Sequence, residues 1–194
     1  MESKKNSIFG RLAHIARLAL RPSYAFHRLR EVMRELRPYR MRDNIPLDSL
    51  PEVKLIEVSG NEELERRVVN MYVGSPSALV SGPMGWKALK EKMAEDFDFY
   101  LVIDGEGKEA GAIAFANNRS MVCHLVIDFR LRSKGLGISA MIELEKIKKR
   151  EGVGVFWGQA YKNNPRILSV LLSLGYEIVE AESTAEYYTI RKTI

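Results

Sequence analysis

Leu125-Val126-Ile127-Asp128-Phe129-Arg130-Leu131-Arg132-Ser133-Lys134-Gly135-Leu136-Gly137-Ile138 runs an apolar strand into a glycine-bearing turn and out again as a helix. A turn that opens a helix leaves backbone N–H groups without partners, and the positive end of the helix dipole adds to them. Such a turn is an anion site. Glycines at 135 and 137 remove side chains that would hold a phosphate off the backbone, while Arg132 and Lys134 bring positive charge beside it.

Several readings compete for this turn. A Walker-type phosphate loop needs Lys then Ser or Thr directly after its second glycine, and Ile138-Ser139 follows here. Gly135-x-Gly137-x-x-Ala140 matches the dinucleotide fingerprint in form. That fingerprint, however, belongs to a parallel unit with an acidic residue at the end of the next strand, and the next strand here closes on Gln159 and Ala160. A plain glycine turn with two solvated basic residues is the bland alternative.

The elements around the turn narrow the choice. Val53 to Val58 alternates as a strand, and Ser59-Gly60-Asn61 offers a turn and N-cap to a helix carrying Leu64, Val68, Val69 and Met71. A second short helix puts Trp86, Leu89 and Met93 on one face. Strands are predicted at Phe97–Ile103, Ala110–Ala116 and Met121–Asp128, separated by Asp104-Gly105-Glu106-Gly107 and Asn117-Asn118, which makes an antiparallel meander. A helix runs from the glycine turn to about Arg150. A strand at Val153–Ala160, a helix at Pro165–Leu174 and terminal strands from Tyr176 follow. The order is β, α, α, β, β, β, α, β, α, β, β.

Arg132-x-x-Gly135-x-Gly137 after a strand resembles the Q/R-x-x-G-x-G/A signature of the GCN5-related N-acetyltransferases (GNAT). Asn164-Pro165-Arg166, followed by a helix and Gly175-Tyr176, is similar to that superfamily's late Asn, helix and Gly-Phe/Tyr pattern. The element order from Val53 onward matches as well. The fold this implies is mixed α/β (α+β): a mainly antiparallel central sheet flanked by helices, with an N-terminal amphipathic helical extension. The domain is expected at 53–194, after a basic arm at 1–42 and a linker at 43–52.

The resemblance implies acetyl-CoA or another acyl-CoA as co-substrate, without a metal. Its pyrophosphate would lie on the amides of Arg132, Ser133, Lys134, Gly135, Leu136, Gly137 and Ile138. Its pantetheine arm would pair with the backbone of Leu125, Val126 and Ile127, in a gap where Met121–Asp128 and Val153–Ala160 splay apart beyond a bulge. Asn164 would contact the coenzyme, and it also serves as an N-cap ahead of Pro165. The activity implied is acyl transfer to an amine on a small molecule or peptide. Two alternatives stand beside it: a catalytically weak acyl-CoA-binding module, and a long-chain N-acyltransferase fed by an acyl carrier protein.

Transfer from a thioester to an amine needs a neutral amine, a donor for the developing oxyanion and a proton for the departing thiolate. Leu171 stands where many relatives carry the Tyr that protonates the thiolate, and Met121 stands where some carry a basic Glu. A thiolate of pKa about 8.5 leaves tolerably without that help. His124 is the candidate base, with an imidazole pKa near 6.5 when unperturbed. Strand alternation puts Cys123 on the face opposite His124, as a small buried hydrophobe. Tyr161 and Tyr188 are further candidate proton donors, and Phe156 and Trp157 are expected in the core and pocket wall.

Over the whole chain, 194 residues with 46% hydrophobic and 28% charged suit one globular domain with an appendage. The single Cys123 excludes an intramolecular disulfide and a multi-cysteine zinc site, so a cytoplasmic location is expected. Residues 1–42 hold eleven Lys and Arg against three Glu, which leaves the remainder acidic within a net charge of +5. Two amphipathic helices are predicted in this arm. One carries Ile8, Leu12, Ile15 and Ala19; the other carries Ala25, Phe26, Leu29, Val32, Met33 and Leu36. An anionic membrane surface, an acyl carrier protein or a homodimer partner would suit them, with peripheral membrane association as a consequence. No nucleic-acid reading motif accompanies the arginines.

Overall fold

The computed structural model describes residues 46–74, 86–132, 134–162 and 165–194. The two predicted arm helices, the first residues of the linker, Ser133 and Asn164 lie outside the described residues. In chain order the elements are β1 (Val53–Glu57), α1 (Glu62–Gly74), α2 (Trp86–Ala94), β2 (Phe97–Asp104), β3 (Glu109–Ala116), β4 (Met121–Ile127), α3 (Leu136–Arg150), β5 (Val155–Tyr161), α4 (Pro165–Ser173), β6 (Glu177–Ile178) and β7 (Tyr187–Thr193). The sheet has seven strands in the order β1-β2-β3-β4-β5-β7-β6.

Local chemistry places the early turns where the sequence reads them. The Asn61 side chain caps α1 by accepting from the Leu64 N–H at 3.2 Å. Asp104 Oδ1 accepts from the N–H groups of Glu106 at 3.0 Å and Lys108 at 2.8 Å, which closes the β2–β3 hairpin. The strand after α3 starts later than predicted, because the Val153 N–H is drawn back to the Lys148 carbonyl at 3.0 Å. The two C-terminal strands are separated by a 3₁₀ turn at Glu180–Glu182, and β7 takes the place next to β5.

Both faces of the sheet are covered, which explains why β2 and β3 read as nearly unbroken apolar runs. On one face Tyr100, Val102, Ile113, Phe115, Phe156 and Ile190 pack with Met141 and Leu144 of α3 and Leu171 of α4. On the other, Phe99, Leu101, Ala112 and Ala114 pack with Val68 and Tyr72 of α1 and Leu89 of α2. Phe156 lies in the first core, its ring 5.0 Å from that of Phe115. Burying a ring of that size stabilises the fold by about 2–3 kcal/mol.

A buried cation ties α3 to the meander. Lys148 is 1% exposed. Its ammonium donates to Asp98 of β2, to Glu151 at 2.7 Å and to Asn117 Oδ1 at 3.1 Å. It also lies 5.0 Å from the Phe115 ring and 5.7 Å from that of Tyr100. Oxygen acceptors and aromatic faces together replace the water it gives up.

β4 is the strand that shapes the site. Ala112 pairs with Val126 and Ala114 with Cys123, so Ile113 faces two residues, His124 and Leu125. In this β-bulge His124 adopts the left-handed conformation, φ 51°. β4 and β5 run parallel and pair at Met121 and Trp157, where the Trp157 N–H donates to Ser120 O at 2.8 Å. Beyond that point β4 bulges and the strands part.

Candidate functional site

The opening between β4 and β5 is flanked by different chemistry on the two faces of the sheet. On the α3 side, Gly135 forms the N-cap at φ 86°, a conformation open to glycine at little cost. The helical ladder begins with the Ser139 N–H donating to Gly135 O at 3.0 Å, so the amides of Leu136, Gly137 and Ile138 have no helical acceptor. Those amides and the exposed Lys134 lie together at the positive end of the helix dipole. The two glycines have separate reasons to be there. Gly135 supplies the backbone conformation, whereas Gly137 faces β4: a Cβ on it would lie 3.6 Å from Ile127 and 3.7 Å from Leu125.

Upstream of the helix, the turn is set by Asp128. Its carboxylate caps the 3₁₀ segment Phe129–Leu131 by accepting from the Arg130 N–H at 2.9 Å, and it pairs with the Arg130 guanidinium at 2.7 Å. Arg130 therefore holds that carboxyl below its ordinary pKa. The Asp128 N–H donates to Ala110 O at 2.8 Å. By alternation the polar groups of Ile127 point away from β3, toward the opening.

Arg132 also makes a local hydrogen bond. Its Nε donates to the Ile127 carbonyl at 2.9 Å, which ties the turn to the exposed edge of β4. Its charge stays near the helix start, but part of its hydrogen-bonding capacity is spent on positioning. Gly111, opposite Ile127, permits the same close approach, because a Cβ there would run into the Val126 carbonyl oxygen.

The α1–α2 face holds His124. Its ring meets Tyr72 edge-on at 6.1 Å, and Cys123 packs into the same core as Tyr72. Cys123 and His124 therefore do not lie on opposite faces as simple alternation predicts. The left-handed residue in the bulge breaks the period of two, and both side chains go to the α1 side. His124 is exposed. Even so, the crowding protein around it, and secondarily the charge of Lys92, pull its pKa down to about 4. Burial raises the Cys123 thiol above its usual value despite Lys92 and Arg119.

The proton-donor candidates fare less well. Leu171 is buried core, with no hydroxyl to offer. Tyr161 is 46% exposed, edge-on to Tyr187 at 6.4 Å. Tyr188 is partly buried on the α3–α4 side with the Lys162 ammonium 4.6 Å above its ring.

Sequence reading did not single out Tyr72. This residue is 5% exposed, and its hydroxyl has no hydrogen-bond partner among the described residues. The available signal was a polar-tipped ring one helical turn after Val68 on the buried stripe of α1. Among the described residues no group of His, Cys, Asp and Glu could hold a metal ion. No helix among them is long and apolar enough to cross a membrane.

A seven-stranded, mainly antiparallel sheet with a bulged β4, a β4–β5 opening and a glycine-turn helix beside it is the fold of the GCN5-related N-acetyltransferases, the superfamily that the two motifs resemble. Among solved structures with this fold is PaiA N-acetyltransferase from Thermoplasma acidophilum in complex with coenzyme A: TM-score 0.55, 16% identity, covering 74% of this chain and 98% of that one. Spermidine N-acetyltransferase from Vibrio cholerae, in complex with CoA and spermine, gives TM-score 0.60 at 10% identity over 73% of this chain and 95% of that one. Aminoglycoside 6'-acetyltransferase type Ii gives TM-score 0.58 at 16% identity over 73% and 96%. No protein-family model and no curated protein matches the sequence.

Proposed function

We propose that this protein is an acyl-CoA-dependent N-acyltransferase. The observation that carries the reading is the β4–β5 opening: it has bare helix-terminal amides on the α3 side and His124 on the α1–α2 side. Bound there, the coenzyme supplies an activated thioester. The chain's residues fit such a ligand. Amides of Leu136, Gly137 and Ile138, with Lys134 and Ser133, take the phosphates. The backbone of Leu125, Val126 and Ile127 takes the pantetheine arm as an added strand, and Asn164 contacts the coenzyme.

In the transfer, the amine nitrogen bonds to the thioester carbonyl carbon and the carbon–sulfur bond breaks. Sulfur leaves with the electron pair and takes up a proton as free thiol, while the amine gives up one proton. A β4 amide polarises the carbonyl. His124, neutral above about pH 4, accepts the amine proton and passes it to water. No side chain replaces the hydroxyl lost at Leu171, so the thiolate draws its proton from solvent.

The buried Leu171 also favours a second reading, a module that binds acyl-CoA and turns it over weakly. One experiment addresses both. Coenzyme A binding is measured by calorimetry, and thiol release from acetyl-CoA is followed with a panel of amines. Binding with amine-dependent release supports the transferase, and binding without it supports the module. Absence of binding refutes both.

A further inference from the structure

Ile127 is the point at which both ends of the glycine turn are fastened to β4. At the near end, Arg132 Nε donates to the Ile127 carbonyl at 2.9 Å, back across five residues. At the far end, Gly137 packs so that a Cβ on it would lie 3.6 Å from Ile127 Cγ1. The chain between is held as well. The Asp128 N–H donates to Ala110 O at 2.8 Å, and the Leu131 N–H donates to Asp128 O at 2.9 Å, which closes the 3₁₀ segment. Arg132 is the C-cap of that segment, and its side chain folds back past it to reach β4.

Both arginines of the turn are thus engaged by the protein itself. Arg130 pairs with the Asp128 carboxylate at 2.7 Å, and Arg132 is partly buried with its Nε on a backbone carbonyl. Asp128 balances part of the charge of both, its carboxyl being held below the ordinary pKa mainly by the Arg130 hydrogen bond and to a lesser extent by Arg132. Lys134 differs: it is exposed and makes no ion pair among the described residues. The Arg132 bond also joins two surfaces of unlike chemistry. On one side is the backbone edge of β4, and on the other are the amides of Leu136, Gly137 and Ile138, which have no helical acceptor. A ligand that uses both must find them at one separation.

We propose that Arg132 is a positioning residue for the coenzyme: by holding the Ile127 carbonyl it fixes the separation between the β4 edge and the amides that open α3, and it acts through its Nε–H and not through its charge. Lys134 supplies the charge at this turn. A ligand that spans both sides gains from the fixed separation, as two linked sites gain from a linker of matched length. A fragment that touches one side gains nothing. This inference deepens the acyl-transfer reading and rests on it, and the test separates the two.

Side-chain geometry separates donor from charge. The amide nitrogen of Gln sits the same number of bonds from Cα as Nε of Arg, so Arg132→Gln keeps a planar N–H in place without the charge. Arg132→Lys keeps the charge but puts a methylene at that point, and Arg132→Met removes both donor and charge. Coenzyme A binding is measured by titration calorimetry at low salt and at about 0.15 M, and pantetheine binding by NMR titration. Arg132→Gln should bind coenzyme A within about twofold of the parent and with the same salt dependence, whereas Arg132→Lys and Arg132→Met should lose at least about fivefold. Lys134→Gln should bind more weakly and flatten the salt dependence. Pantetheine, which carries no phosphate and meets β4 alone, should bind every Arg132 variant within about twofold of the parent.

The pantetheine arm guards against a purely structural effect. If Arg132 merely held β4 in shape, its variants would weaken pantetheine and coenzyme A together, and that result overturns the proposal. So does full binding by Arg132→Lys with loss in Arg132→Gln, which would make the charge the working group. Parent-like coenzyme A affinity in all three Arg132 variants refutes it as well, as does a parent protein that binds coenzyme A without measurable affinity for pantetheine. Failure of the parent to bind coenzyme A overturns the acyl-transfer reading beneath.

Discussion

Replacing Gly137 by alanine should stabilise the protein and weaken its hold on coenzyme A. The position is the second residue of α3, and its φ is not in the left-handed region. An added Cβ would meet Ile127 at 3.6 Å and Leu125 at 3.7 Å, both ordinary van der Waals contacts, so nothing must move. Glycine in a helix costs about 0.5–1 kcal/mol relative to alanine, and that amount should be regained. For a protein of this size it appears as a rise of about 1–4 °C in melting temperature. The same methyl group lies over the stretch of β4 that is to pair with the pantetheine arm, so coenzyme A affinity should fall at least about tenfold, or about 1.4 kcal/mol.

Gly135→Ala supplies the internal contrast. At φ 86° the new side chain costs about 1–2 kcal/mol, which lowers the melting temperature by about 2–8 °C. Differential scanning calorimetry and titration calorimetry on the two variants read all of this. Unchanged coenzyme affinity in Gly137→Ala would refute the placement of the ligand. A stability loss there would refute the account of the packing.

Lys148→Ala removes the buried ammonium and leaves Asp98 facing the core without a counter-charge. Asp98 and Glu151 retain 23% and 49% side-chain exposure, so water screens part of the loss. The cost should be about 2–3 kcal/mol, measured as a lower urea midpoint with an unchanged slope. For His124, the folded state holds the pKa at about 4 against about 6.5 unfolded. As pH falls from 6.5 toward 4 the unfolded chain gains a proton that the folded chain does not, and stability declines. His124→Asn keeps a residue suited to the left-handed conformation and should abolish that component. Urea midpoints at pH 7.5 and 4.5 should converge in the variant relative to the parent, and an equal drop in both would remove His124 as the cause.

What the sequence determined by itself is the part of the protein governed by local chemistry. Alternating and helical apolar spacing located the strands and helices. Asn61 and Asp104 announced their cap and turn, and Arg132-x-x-Gly135-x-Gly137 after a strand marked the glycine turn that opens α3. Each of these depends on neighbours within a few residues along the chain. The tertiary structure decided whatever depends on register between strands and on what packs across them. The bulge at His124 is a mismatch of one residue between β3 and β4, which neither strand reveals alone, and it carried Cys123 and His124 to the same face. Arg132 reads as charge beside the glycine turn, and only the fold shows its Nε donating to the Ile127 carbonyl.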